Sequence, residues 1–273
     1  MKLRSALKRL YYNSFFSDTR FRYFGSTIYF PKKSLIFRLA CEQGIYEAST
    51  VRMINRMIRP GSIYIDVGAN IGLMSVAALA SRADCYVVSV EASPTTLNYL
   101  RRTRQASAYV DRWTVVEKAV SSQCGESTFY EGAPPNGAFD GLHDTGRGGD
   151  KQEIKVPVTT IDAIWNDLGR PAVSVIKMDI EGGELGALQG SLECIKANRP
   201  VLVTEWNELH FKPYGIHVDD LVTFAKSHDY QILSGAGLAH VGTATELYLH
   251  MTLTETYVLL PGEAASAVDC ASS

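Results

Sequence analysis

Ile63-Tyr64-Ile65-Asp66-Val67-Gly68-Ala69-Asn70-Ile71-Gly72 is the stretch that decides the fold. An apolar, β-forming run ends in an acid, a glycine-bearing turn follows, and an Ala-rich helical pattern continues to Ala80. At such a strand-to-helix corner, glycine lets the backbone turn tightly and come close to a ligand, while the helix N-terminus offers unpaired N–H groups. A dinucleotide site would show G-x-G-x-x-G, with pyrophosphate resting on the helix dipole. The spacing here is D-x-G-x-N-x-G, which puts Asp66 where it can meet an amino group and suits an amino-acid tail better than a diphosphate. Asp66 and Asn70 are polar at a strand end that should be buried, which a turn used only for packing does not require. Ile63 to Ala80 is also apolar enough to imitate a membrane span, but Asp66, Gly68, Asn70 and Gly72 favour strand, turn and buried helix.

Outward from this corner, apolar runs alternate with helical patterns. Tyr86–Val90, a helix from Pro94 to Ala106, and Trp113–Val116 follow it. After an interruption come Val173–Met178, a helix from about Gly183 to Ala197, Val201–Thr204, and a helix from Val218 to His228. This predicts a doubly wound α/β domain with five parallel strands. Tyr230–Leu233 and Thr256–Leu260 are expected as a C-terminal antiparallel pair at the sheet edge. Upstream, Ser26–Phe30 and Ser34–Phe37 read as a hairpin, and Glu47–Ile58 as an amphipathic helix ended by Pro60-Gly61. Residues 1–60 thus form an α/β preface, 61–263 the main domain, and 264–273 a frayed small-residue tail. Tyr130–Asp150, rich in Gly and Pro, is long for a connection and reads as a lid or insert, followed by a strand at Ile154–Val158 and a helix opening near Thr160.

The composition, 46% hydrophobic and 21% charged with a formal net charge of -2, is that of an ordinary globular chain and shows no overall pull toward nucleic acid. Charge is nevertheless uneven. Lys2, Arg4, Lys8, Arg9, Arg20, Arg22, Lys32, Lys33 and Arg38 face the single acid Asp18 before Cys41, an arm that is either a solvated face or a contact for anionic lipid. Cys41, Cys85, Cys124, Cys194 and Cys270 are widely spaced and lack zinc spacing, so reduced thiols and a cytoplasmic location, with contact at the inner membrane face, are expected. Lys8, Arg9, Asn13 and Asp18 interrupt any secretory apolar run.

The chemistry-bearing residues gather at strand ends. Glu91 follows the second strand, where a carboxylate can hydrogen-bond ribose hydroxyls or cap the helix behind Ser93-Pro94. Ile176-Lys177-Met178-Asp179-Ile180-Glu181-Gly182-Gly183-Glu184 crowds three acids and a lysine at another strand end, beside the first strand. Asp179 and Glu181 are the preferred catalytic acids, then Glu205 at the end of the next strand and His210 in the loop after it. Lys177 and Glu184 could equally form an ion pair or meet a helix dipole. Asp179, Glu181 and Glu205 could converge on magnesium, but the sequence lacks a tight Asp-rich cluster and no resident metal is expected.

Asp66-Val67-Gly68-Ala69-Asn70-Ile71-Gly72, Glu91-Ala92-Ser93-Pro94, Thr159-Thr160-Ile161-Asp162 and the Ile176–Glu184 segment together resemble the FkbM family of methyltransferases, over roughly Gly44 to Leu260. The resemblance implies a class I Rossmann-like fold, S-adenosylmethionine as cofactor, and O-methylation of hydroxyls on sugars or polyketide-type natural products; the expected partner is a small-molecule or glycan acceptor, with a lipid-linked one among the options. It places Asp66, Gly68, Ala69, Asn70 and Gly72 at the cofactor's methionine end and Glu91 with Ala92 at its ribose. Lys118 to Val120, centred on Ala119, would flank adenine, with Asp179 near the sulfonium. Where Gly183 stands the family often has alanine. Two rival functions are an NAD-dependent oxidoreductase, disfavoured by the missing glycine, and a non-catalytic module that binds cofactor or glycan.

Overall fold

The computed structural model describes residues 3–4, 6–8, 10, 19–133 and 137–262. In chain order the strands are β1 (Arg20–Tyr23), β2 (Ser26–Tyr29), β3 (Ile63–Val67), β4 (Tyr86–Val90), β5 (Trp113–Val116), β6 (Ala119–Val120), β7 (Gly125–Gly132), β8 (Lys151–Thr159), β9 (Val173–Met178), β10 (Val201–Glu205), β11 (Tyr230–Ser234), β12 (His240–Val241) and β13 (Thr256–Pro261). Eight of them form one sheet in the order β12-β11-β13-β10-β9-β3-β4-β5. The five strands expected to be parallel are so, paired in the order β5 to β4 to β3 to β9 to β10, with β9 beside β3 as expected. The chain leaves β3 in one direction through β4 and β5, then returns to the other side of β3 at β9. That reversal opens a crevice at the carboxyl ends of β3 and β9, where open α/β sheets bind ligands.

Both faces of the sheet are covered, which is why its strands read as continuous apolar runs. On one face Ile65, Val67, Val88, Ile176 and Met178 pack with Leu188, Ile195, Trp206 and Phe224. On the other, Tyr64, Val87, Val175 and Val203 meet Phe37, Ile54, Leu79, Leu100 and Trp113. Each such fully buried side chain contributes about 1.5–3 kcal/mol. The second core draws on the preface, so helices Leu35–Gln43 and Ala48–Met57 are part of the same packed body.

Four expectations need correction. The hairpin joins β1 to β2 through Phe24 and Gly25, both with positive φ, a turn that lacks the usual Asn-Gly signature. Ser34–Phe37 instead starts a helix, because the Ser34 side chain accepts the Phe37 N–H and caps Leu35–Gln43. The pair β11 and β13 is antiparallel as expected, but β13 lies inside the sheet between β10 and β11, with β12 outermost. Its unbroken Tyr257-Val258-Leu259-Leu260 run, buried throughout, marks an interior strand. The helix from Gly183 to Ala197 is two, Glu184–Gln189 and Leu192–Asn198, broken where Gly190 lies so close to Ser121 that a Cβ would come within 2.3 Å of its carbonyl oxygen.

The stretch expected to be a loop from Tyr130 begins as strand. β7 pairs antiparallel with β8, and β6 joins β8 to make a separate three-stranded sheet. Cys85, Cys124 and Cys194 are free thiols. Among the described residues no helix is long and apolar enough to cross a membrane. The tail Ala264–Ser273 and much of the basic arm lie outside the described residues. Ser34→Ala is expected to lower stability by about 1 kcal/mol in urea melts, through loss of the cap, with the far-UV spectrum retained; an unchanged midpoint would remove the cap from the account.

Candidate active site

The corner after β3 is shaped by how close it runs to β9. Gly68 has φ +76, and a Cβ there would sit 1.9 Å from the Asp179 carbonyl oxygen, so no other residue lets the two strand ends pass. The N–H groups of Gly68 and Ala69 both donate to the Val90 carbonyl. Asn70, also left-handed at φ 49, accepts the Ile71 N–H at 2.9 Å on its side-chain oxygen and donates its amide to the Gly137 carbonyl at 3.2 Å. Asp66 is wholly buried and accepts from the hydroxyls of Tyr64 and Ser75. Burial raises its carboxyl above the ordinary range, against the opposing pull of Lys177. Glu91 accepts the N–H groups of Asn70, Ala92 and Ser93, each at 2.9 Å, and so ties the end of β4 to the corner. Burial pushes its carboxyl up to about 7.

A cavity of about 300 Å³ opens at the carboxyl ends of β3, β4, β9 and β10. Asp66, Gly68, Ala69, Asn70, Glu91, Ala92, Ala119, Asp179, Glu181, Glu205 and His210 all line it. Gly72 does not. It precedes helix Leu73–Ser81 at φ +89, and a Cβ there would press on Leu100 and the Trp113 ring, so its role is in packing rather than ligand contact.

On the β9 side, Lys177 meets Asp179 at 2.8 Å while almost fully buried. Burial alone would lower its ammonium, but Asp179, Asp66 and Glu47 more than reverse this and hold it charged. Glu181 stands at φ 55, and Gly182 behind it passes so close to His210 that a Cβ would lie 2.1 Å from that carbonyl oxygen. Such left-handed backbone at a non-glycine residue costs energy and collects at functional sites. Arg147 donates to Glu181 at 2.9 Å and to the His210 Nε2, while burial pushes the Glu181 carboxyl up to about 8. His210 Nδ1 faces Glu205 at 3.7 Å and has no hydrogen-bond partner among the described residues. Burial, with Arg147 adding to it, lowers the imidazole and favours its neutral form. Glu184 accepts the Ile180 N–H at 2.8 Å and closes the turn, a positioning role.

The convergence considered for Asp179, Glu181 and Glu205 occurs with a different third member. Glu181 is drawn off by Arg147, and Glu47 takes its place, with one carboxylate oxygen from each of Glu47, Asp179 and Glu205 all within 4.8 Å of one another. Glu47 reads in the sequence as an ordinary helix-start acid, with no local sign of its long-range partners. Arg147 is more legible afterwards: it is the one charged residue in Gly146-Arg147-Gly148-Gly149. The segment that carries it is fastened over the cavity by Asn70 to Gly137, by Asp140 to the Gly132 N–H, and by Lys151 to the Phe139 carbonyl.

A family model for the methyltransferase FkbM domain matches residues 66–232. No curated protein sequence matches the chain significantly. Among solved structures, the methyltransferase FkbM from Methylobacillus flagellatus KT is similar with a TM-score of 0.50 and 21% identity, over 82% of this chain and 52% of that one. The chain thus spans about half the length of that protein, and the likeness is one of fold. Precorrin-6y C5,15-methyltransferase from Geobacter metallireducens GS-15 aligns at TM-score 0.40 and 13% identity, covering 78% of this chain and 86% of that one. A geranyl diphosphate methyltransferase solved in complex with SAM aligns at 0.43 and 13%, over 82% and 87%. The family match covers more than half of the chain and takes in every cavity-lining candidate from Asp66 to His210, and so the chain belongs to the FkbM methyltransferase domain family.

Proposed function

We propose that the chain moves a methyl group from S-adenosylmethionine to a hydroxyl oxygen of a sugar-like or natural-product acceptor. The observation that carries this reading is the polarity of the cavity. Asp66, Glu91, Asp179, Glu181 and Glu205 line it against Lys177 and Arg147, while Ile71, Val120, Phe129 and Leu142 supply apolar wall. A ligand with an ammonium, ribose hydroxyls, a sulfonium and an adenine ring presents donors and positive charge to those acids and a flat apolar face to that wall. A pyrophosphate would meet carboxylates instead, which argues against a nicotinamide dinucleotide.

When bound, S-adenosylmethionine supplies a methyl carbon made electrophilic by the sulfonium. In this reading Asp66 and the Gly68–Asn70 backbone hold the amino-acid end, Glu91 and Ala92 the ribose, and Ala119 the adenine edge. Glu181 takes the proton from the acceptor hydroxyl, aimed by Arg147 and by the left-handed turn on which it stands. Leu35, Ile36, Tyr46 and Phe139 give the same cavity an apolar wall, against which alignment can supply most of the rate. Leu35, Ile36 and Leu39 on the cavity wall also support an acceptor with a hydrocarbon part, and the basic N-terminal arm supports work at an anionic lipid surface.

Binding of S-adenosylhomocysteine, followed by calorimetry, is expected to depend on pH. Because burial pushes Glu91 up to about 7, its charged, accepting form is lost as pH falls through that value. Affinity should be level above it and weaken by up to about tenfold per pH unit below it, and Glu91→Gln should abolish the dependence. No binding at any pH, with NADH bound instead, would overturn the proposal. Glu181→Gln is expected to reduce kcat about 10²–10⁴-fold with S-adenosylhomocysteine affinity intact, measured by transfer of a labelled methyl to glycan acceptors; full turnover would remove Glu181 as the base.

A further inference from the structure

We infer that Glu47, Asp179 and Glu205 bind one divalent cation of the magnesium or manganese class, placed to hold two neighbouring oxygens of the acceptor. The three carboxylates come from separate elements: the start of helix Ala48–Met57, the residue after β9, and the end of β10. Each offers an oxygen within 4.8 Å of the others, a span that one central ion can bridge. An all-carboxylate set is a hard donor set, which suits these metals over zinc or copper.

Two further observations point to an occupant. Glu47, Thr50, Lys177, Asp179, Thr204 and Glu205 all line a small void of about 10 Å³, room for one water or ion. On the large-cavity side of Glu205, His210 is only 3% exposed, yet among the described residues its Nδ1 has no hydrogen-bond partner, and it looks at the Glu205 carboxylate across 3.7 Å. A buried polar nitrogen is rarely left so. An oxygen carried by the cation, either water or acceptor hydroxyl, fills that gap.

Asp179 and Glu205 also line the large cavity, so the ion would face the place where donor and acceptor meet. Its role there rests on the proposed methyl transfer: chelation of two adjacent oxygens, as in a vicinal diol, would fix which hydroxyl is presented.

Manganese titration of the full chain, read by the loss of the free-ion paramagnetic resonance signal, tests the site without turnover. One ion per chain is expected, with affinity reduced at least about tenfold in Glu47→Gln and unchanged in the surface variant Glu117→Gln. Absence of binding at millimolar manganese, or equal binding by Glu47→Gln, would overturn the inference. Should Glu47→Gln fail to fold by circular dichroism, the wild-type stoichiometry and Glu205→Gln decide in the same way. Loss of S-adenosylhomocysteine binding would defeat the proposed function but leave the manganese result standing, so the two failures are separable.

Discussion

The approach of Gly68 to the Asp179 carbonyl is the constraint on which the site depends. With 1.9 Å between that oxygen and the place a Cβ would occupy, any side chain would push β9 away from the β3 corner. The consequence is a crevice whose two sides come from adjacent strands and whose acids stand within a few ångström of one another. Glu91 secures the arrangement from the β4 side by taking three backbone N–H groups, one of them from the corner itself. A ligand is therefore met by groups already fixed, and little ordering entropy is left to be lost on binding.

That rigidity has an electrostatic cost. Glu47, Asp66, Glu91, Glu181, Glu184 and Glu205 are all pushed toward their neutral forms by burial. Lys177 and Arg147 offset part of this, each against a different acid. This crowding of buried carboxyls suits a pocket for a cationic ligand, since positive charge brought in from outside relieves what folding imposed.

Much of this was legible in the sequence because periodicity and turn chemistry are local. The boundaries of β3, β4, β5 and β9 follow from their apolar runs, and most of the expected cavity residues from their positions at or just after strand ends, Ala119 from the family resemblance alone. Gly72 lies off the cavity wall, and a glycine packed against Leu100 and Trp113 looks the same in sequence as one that lines a ligand site. β7 was missed because its residues, Gly125-Glu126-Ser127-Thr128-Phe129-Tyr130-Glu131-Gly132, carry little hydrophobic alternation and find their partner only in β8. Glu47 illustrates the general limit: its neighbours in space are more than a hundred residues away in the chain, and no local pattern encodes them.

The interior position of β13 bears on how the molecule is made. β10, which ends in Glu205, has β9 on one edge and β13 on the other. As the chain emerges from its N-terminus, β3, β4 and β5 can assemble early, but the outer edge of β10 keeps unpaired peptide groups until residues 256–261 arrive. The topology thus lets the half of the crevice that holds Glu91 form before the outer edge of β10, which carries Glu205, finds its partner.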